Sequence, residues 1–221
     1  MSLPPVSAIA DVLALFGFDG WLTPPLSPIV PASAPTMGHA LTVELCAEQE
    51  GTGLAPLHRL ISGDLQGQVV VIAGGRPIGG AVWGEIMSRA ARQQHATAVL
   101  LDGIARDAGA MLDEGLPVYA AELAVVGPAG RASLRGVGEP VTIGGVVVAP
   151  GDAVIVDASG AVRVPVADCE RVLTAARTYA AAEEQVMGAL AAGEALIDAY
   201  RFKKATVGAL TVEIVEWRRG G

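Results

Sequence analysis

Near the start of the chain, apolar residues recur at helical spacing (Ile9, Val12, Leu13, Phe16). They predict a helix over residues 6–17, with Ser7 as its cap and Gly17 as its stop. A proline-rich segment, 21–35, follows and reads as an extended loop that wraps the surface or lines a site, because it keeps Leu22, Leu26, Ile29 and Val30. Alternation over 39–46 predicts a half-buried strand, and 54–61 a helix. The short apolar run 68–73 (QVVVIA) reads as a strand buried on both faces.

The middle of the chain repeats strand, loop, helix, strand. Over 84–94, Ile86, Met87, Ala90 and Ala91 form one face and Arg89, Arg92 and Gln93 the other, as in an amphipathic helix that starts near the glycines. Residues 98–101 and 118–120 read as buried strands, so the rhythm predicts a largely parallel central sheet. From 134 to 164 short β runs alternate with turn residues, Pro150-Gly151-Asp152 and Ala158-Ser159-Gly160 among them, which predicts a second, antiparallel or mixed β layer. Residues 168–205 are almost all helix formers, with Asp168 as a cap and Gly188 and Gly193 as weak points.

Composition narrows the classes. The 221 residues suffice for one well-buried domain, or one domain with a helical appendage. Apolar residues make up 52%, yet no run reaches the ~18 residues of a membrane span, and Asp11 interrupts the N-terminal apolar stretch, so neither span nor signal peptide is expected. Cys46 and Cys169 lie far apart without metal-ligand spacing, which suggests free thiols in a reducing cytoplasm. The net charge of −8 and the lack of a basic stripe argue against nucleic acid. With three residues each of Trp, Tyr and Phe, the core must be packed by Val, Leu, Ile and Ala.

Candidate chemistry gathers between Gly74 and Pro117. Gly79-Gly80 and Gly84 precede a helix whose first turn is Glu85, Ile86 and Met87. The free amides of a helix start and the positive end of its dipole form an anion site, and glycine lets a ligand approach closely. The pattern is neither a Walker loop nor a dinucleotide fingerprint. A tight strand-to-helix turn explains the same glycines without any ligand. Asp102-Gly103 is expected to end a buried strand at the sheet's carboxyl edge, where open α/β sheets bind ligands. Arg106 suits bidentate capture of a carboxylate, and Asp107 a hard cation such as Mg²⁺. The competing explanation is an Arg–Asp pair that merely caps the next helix.

The motifs G-E-x-x-x-x-A-A at 84–91, D-G-x-x-R-D at 102–107 and L-P-V-Y at 116–119 resemble those of the RraA-like family. That family includes the regulator of ribonuclease E activity A and the metal-dependent aldolases for 4-hydroxy-4-methyl-2-oxoglutarate and 4-carboxy-4-hydroxy-2-oxoadipate (HMG/CHA aldolases). GHALTV at 38–43, and APGD at 149–152 followed by DASG, are similar to further parts of the family pattern. The resemblance implies one domain over 1–221 with a β/β/α swivelling-type α/β fold: a largely parallel central sheet, a second β layer and flanking helices. It also implies assembly as homotrimers or homohexamers with sites between subunits, to which the 168–205 helix would contribute.

In the aldolases, the resemblance implies, the pyruvyl carboxylate rests on the amides of Gly84, Glu85, Ile86 and Met87. Arg106 would bind the pyruvyl oxygens and stabilise an enolate, and Asp107 would hold Mg²⁺ or Mn²⁺. Glu85, where many members carry Asp, would act on the water shell of the metal. Glu183, with Glu184 next by spacing, would be the glutamate supplied by a second subunit. His39 and His95 depart from the family pattern and suit packing or surface roles. The implied activity is a lyase, an aldolase or oxaloacetate decarboxylase that releases pyruvate from a small 2-oxo acid substrate in the cytoplasm. Lys203 and Lys204 lie near the C-terminus, away from these motifs, which argues for the metal route over a Schiff base. The alternatives are a protein-binding regulator without catalysis and, least supported by the glycine pattern, a methyltransferase.

Overall fold

The computed structural model describes residues 2–48 and 53–220, and these fall into two compact units, 21–166 and 2–20 with 167–220. The larger unit is built on a mixed sheet. Its interior strands are β2 (Thr36–Ala47), β3 (Gln68–Ala73), β5 (Ala98–Ala105) and β6 (Val118–Leu123), joined in the order β6-β5-β3-β2 and all parallel. Antiparallel strands finish the edges. β1 (Ser27–Val30) pairs with β6, while β10 (Ala153–Asp157) and β11 (Gly160–Val164) extend the side beyond β2. β4 (Ala81–Trp83) adds to the end of β5 in parallel, and β7 (Ala132–Val137) to the end of β2 in antiparallel.

The period-2 geometry of a strand divides the core into two. Val70, Ile72, Val99 and Leu101 face one side, where α2 (Ala55–Ile61), α3 (Glu85–Gln93) and α4 (Ala108–Glu114) bury Leu57, Ile61, Met87, Ala91 and Met111. The alternate residues Val69, Val71, Ala98 and Leu100 face the other. That face is covered by the small hairpin of β8 (Val141–Ile143) and β9 (Val146–Val148), together with Leu22 and Leu26. The result is a β/β/α layering, as expected. The second layer is narrower than its sequence suggests, because β10 and β11 join the main sheet. Segment 21–35 likewise is not all loop, since β1 lies within it.

Tyr119 ties this apolar face together. It is fully buried on β6, its hydroxyl donates to the Asp157 carbonyl at 2.7 Å, and it accepts from the Ala32 amide at 3.1 Å. Burial pushes its pKa up, so the hydroxyl keeps its proton and remains a donor. Tyr119→Phe conserves volume but strips two main-chain groups of this partner. A loss of about 1–3 kcal/mol is expected in urea unfolding, with the slope unchanged.

The smaller unit is helical. α1 (Val6–Phe16) and α7 (Arg201–Gly220) pack on α5 (Cys169–Ala191), with the short α6 (Leu196–Ala199) between α5 and α7 in sequence. Gly17, at φ 71°, closes α1 as expected, whereas Ser7 lies inside the helix and caps nothing; Pro5 occupies the cap position. Asp168 precedes α5 without a capping side-chain bond. The expected helix over 168–205 is in fact three helices. The first break follows Ala191 near Gly193, whose φ of 89° a right-handed helix cannot contain. Gly188, by contrast, is carried within α5. No helix among the described residues is long and apolar enough to cross a membrane.

Candidate active site

The site forms where β4 hands over to α3. The Arg106 amide donates to the Trp83 carbonyl at 3.0 Å, which fixes the end of β5 against the end of β4. The buried Trp83 indole donates to Ser88 Oγ at 2.9 Å and locks the first turn of α3 to the same strand. The helical ladder starts with Ser88 N–H to Gly84 C=O at 3.0 Å. The amides of Glu85, Ile86 and Met87 precede that bond, so they lie beyond the reach of intrahelical carbonyls and carry the positive end of the helix.

Gly84 is required here for space. Its φ of −174° is open to any residue, but a Cβ on it would stand 2.9 Å from Asp107 Oδ2 and 3.1 Å from Arg106 Cγ. The helix start therefore abuts both side chains of the R-D pair. Gly80 has a different role: its Cβ would lie 2.4 Å from the Gly127 carbonyl, so it packs against the 127–128 loop rather than facing a ligand. Of the expected glycine loop, only Gly84 belongs to the site.

Arg106 and Asp107 are about half exposed, with Arg106 Nε 3.6 Å from Asp107 Oδ2, a loose pair that leaves both free to turn toward a ligand. Asp107 occupies the cap position of α4 yet makes no side-chain capping bond. The pair therefore stands at the start of α4 without a capping hydrogen bond from the Asp107 side chain. Its backbone is left-handed (φ 61°, ψ 39°), a conformation that costs a non-glycine residue on the order of 1–3 kcal/mol and concentrates at functional positions.

Glu85, the first residue of α3, shares the cavity with Arg106 and Asp107, and its Oε1 is held by Arg89 at 3.2 Å. Arg89 also binds Glu114 at 2.5 Å, so Glu85 competes for a guanidinium already satisfied. The cavity is about 420 Å³ and is completed by Leu54, His58, Ile61 and Ser62 from the α2 region and by Pro128. These residues were silent in the sequence, since nothing in their spacing marks them as neighbours of Arg106. Ile86 was expected on the buried face but is 79% exposed, because the apolar face of α3 begins one residue later at Met87.

One expected position falls elsewhere. Asp102 does not end its strand. β5 runs on to Ala105 through a register shift against β6, and the Asp102 carboxylate turns to Arg76 at 2.5 Å, away from the cavity. Segment 21–35 contributes nothing to the cavity lining. Glu183 lies on α5, where its Oε1 accepts from Lys203 Nζ at 2.7 Å, and Glu184 is exposed beside it. Burial disfavours the charge on Lys203, but hydrogen bonds with Glu183 and Tyr179 outweigh it and raise the pKa. A lysine held protonated in this way is unsuited to imine chemistry. His39 Nδ1 meets the Gly151 carbonyl at 3.1 Å, a strand-to-turn contact, and His95 sits in the turn after α3.

Asp107 and Glu85, both in the cavity lining, offer oxygen donors of the kind that a hard divalent cation takes. Among the described residues no cluster of three or more His, Cys, Asp or Glu could cage a metal. Two carboxylates suit an ion such as Mg²⁺ that keeps several waters and shares its shell with a substrate.

Known proteins share this architecture. Protein DlpA of Legionella pneumophila is 25% identical over 191 residues, which is 85% of this chain but 30% of DlpA, so the chain spans under a third of that curated relative. An uncharacterized protein from Pseudomonas syringae superposes with a TM-score of 0.75 at 26% identity, covering 89% of this chain and 92% of that one. RraAS2 of Streptomyces coelicolor, described as an unusual member of the RNase ES inhibitor RraA protein family, shares the fold with a TM-score of 0.68 at 23% identity, covering 80% and 88%. The RraA-like family (Aldolase/RraA), which holds both aldolases and RraA regulators, matches residues 6–163, and the chain belongs to it.

Proposed function

We propose that this protein is a divalent-cation-dependent lyase that releases pyruvate from 4-hydroxy-2-oxo acids of the HMG/CHA type, or from oxaloacetate, through an enolate. The observation that supports this reading is the close approach of Gly84 to the stem of Arg106 and the carboxylate of Asp107, beside the three free amides that open α3. The amides of Glu85, Ile86 and Met87 would hold the substrate carboxylate. Arg106 would bind the 2-oxo oxygen. As the bond at C3 breaks, its electron pair moves onto that oxygen, and Arg106 would meet the charge that develops. In the retro-aldol reaction the 4-hydroxyl gives its proton to water ordered by Glu85 and Asp107 as C4 becomes a carbonyl, whereas oxaloacetate loses C4 as CO₂; C3 then takes a proton from that water to give pyruvate. Mg²⁺ or Mn²⁺ held by Asp107 and Glu85 would add positive charge at the same oxygen. Work as a homotrimer or homohexamer belongs to this proposal, with Glu183 of a second copy joining the site.

Pyruvate release from oxaloacetate and a panel of 4-hydroxy-2-oxo acids tests the proposal. Turnover is expected with Mg²⁺ or Mn²⁺ and should vanish with EDTA, since Asp107 and Glu85 offer oxygen ligands alone. Undiminished pyruvate formation in metal-stripped protein would overturn the metal role. No pyruvate from any substrate would favour a regulator without catalysis.

A further inference from the structure

The cavity runs from the start of α3 to α2 and takes in one stripe of that helix and its caps: Leu54, His58, Ile61 and Ser62, at i, i+4, i+7 and i+8. Leu57 and Ile61 are fully buried in the core, so α2 is held in place and the stripe keeps its direction. The polar members of the stripe are His58 and Ser62. The Ser62 hydroxyl already donates to the His58 carbonyl at 2.8 Å, which leaves the His58 imidazole as the N–H donor that α2 brings to the cavity. Met87 and Ala90, one turn apart on α3, line the same space and give a short carbon chain an apolar surface.

The two charged ends of a dicarboxylic 2-oxo acid need different partners. Glu85 and Asp107 stand with Arg106 at the pyruvyl end, so a second carboxylate placed there meets like charge. On the α2 side it meets His58. We infer that His58 binds the second carboxylate of the substrate and so selects dicarboxylic 2-oxo acids over their uncharged counterparts. The inference rests on the proposed pyruvate-releasing reaction, for substrates of the 4-hydroxy-2-oxo acid type. In these the second carboxylate leaves with the carbonyl product, so its contact with His58 serves binding rather than the breaking of the C3 bond.

Two 2-oxo acids without a C4 hydroxyl isolate the contact, because 2-oxoglutarate and 2-oxopentanoate differ only in a terminal carboxylate against a methyl group. Titrated calorimetrically into the Mg²⁺-supplemented protein, 2-oxoglutarate should bind on the order of 10–100-fold more tightly, as a hydrogen bond to a charged group provides. His58→Ala should erase that difference. It should leave 2-oxopentanoate binding and the circular dichroism spectrum unchanged, since His58 is exposed. His58→Lys should restore the preference. Equal affinity of the unmodified protein for the two acids, or a difference that survives His58→Ala, overturns the role of His58 and leaves the reaction standing. A preference that depends on His58, in a protein that releases no pyruvate from any substrate of the panel, overturns the reaction and keeps the carboxylate contact.

Discussion

Arg106→Ala is expected to lower the kcat of pyruvate release by on the order of 10²–10³ while leaving the melting temperature almost unchanged. The two effects separate because of where the side chain sits. Its 3.6 Å pair with Asp107 is half exposed and loose, and pairs of that kind contribute little to stability. In the proposed reaction the same guanidinium would bind the oxygen that becomes anionic as the C3 bond breaks, and removing it would leave that charge without its principal donor. Arg106→Lys should not restore turnover, because an ammonium cannot reproduce the planar fork. Melting temperature and turnover measured on one preparation give the check. A variant that melts early and keeps its rate would make Arg106 a structural residue.

Gly84→Ala should be nearly as damaging to catalysis, by a different route. The added methyl would stand 2.9 Å from Asp107 Oδ2 and 3.1 Å from Arg106 Cγ, so both side chains must shift. Asp107 can swing its carboxylate aside at little cost to the fold, and alanine at a helix cap costs on the order of 1 kcal/mol against glycine. A displacement near 1 Å at reacting groups nevertheless costs about 10²-fold. Gly109→Ala is the matched control: it lies on α4, just beyond Asp107, and a Cβ there meets nothing within 4 Å. It should keep full activity. Equal rates for the Gly84 and Gly109 variants would mean that the close approach at Gly84 has no functional role.

Local periodicity revealed what local forces decide. The alternation of Val69 to Ile72 and of Ala98 to Leu101 identified the interior strands, because each needs one apolar residue for either face. Gly17 marked the end of α1 through its left-handed φ. Sheet partnership is long-range and escaped: β10 and β11 have the same short alternating pattern as β8 and β9, yet the first pair extends the main sheet and the second covers it. β1 was hidden by its prolines. The site followed the same division. Gly84, Arg106 and Asp107 were visible as motifs, but Asp102 was misread, because a strand continuing through Gly103 needs the neighbouring strand to absorb a register shift. The wall from Leu54 to Ser62 left no mark in the sequence, since it meets Arg106 only through the packing of α2 beside α3.

The central claim is that the start of α3 and Arg106 together hold a pyruvyl anion. Oxalate, a planar dianion shaped like the enolate of pyruvate, reports on it directly when added with Mg²⁺ to ¹⁵N-labelled protein. The amides of Glu85, Ile86 and Met87 should show the largest shift changes in the spectrum, and Arg106→Ala should abolish them. Saturable shifts confined to other elements, with these three amides unmoved, would contradict the account.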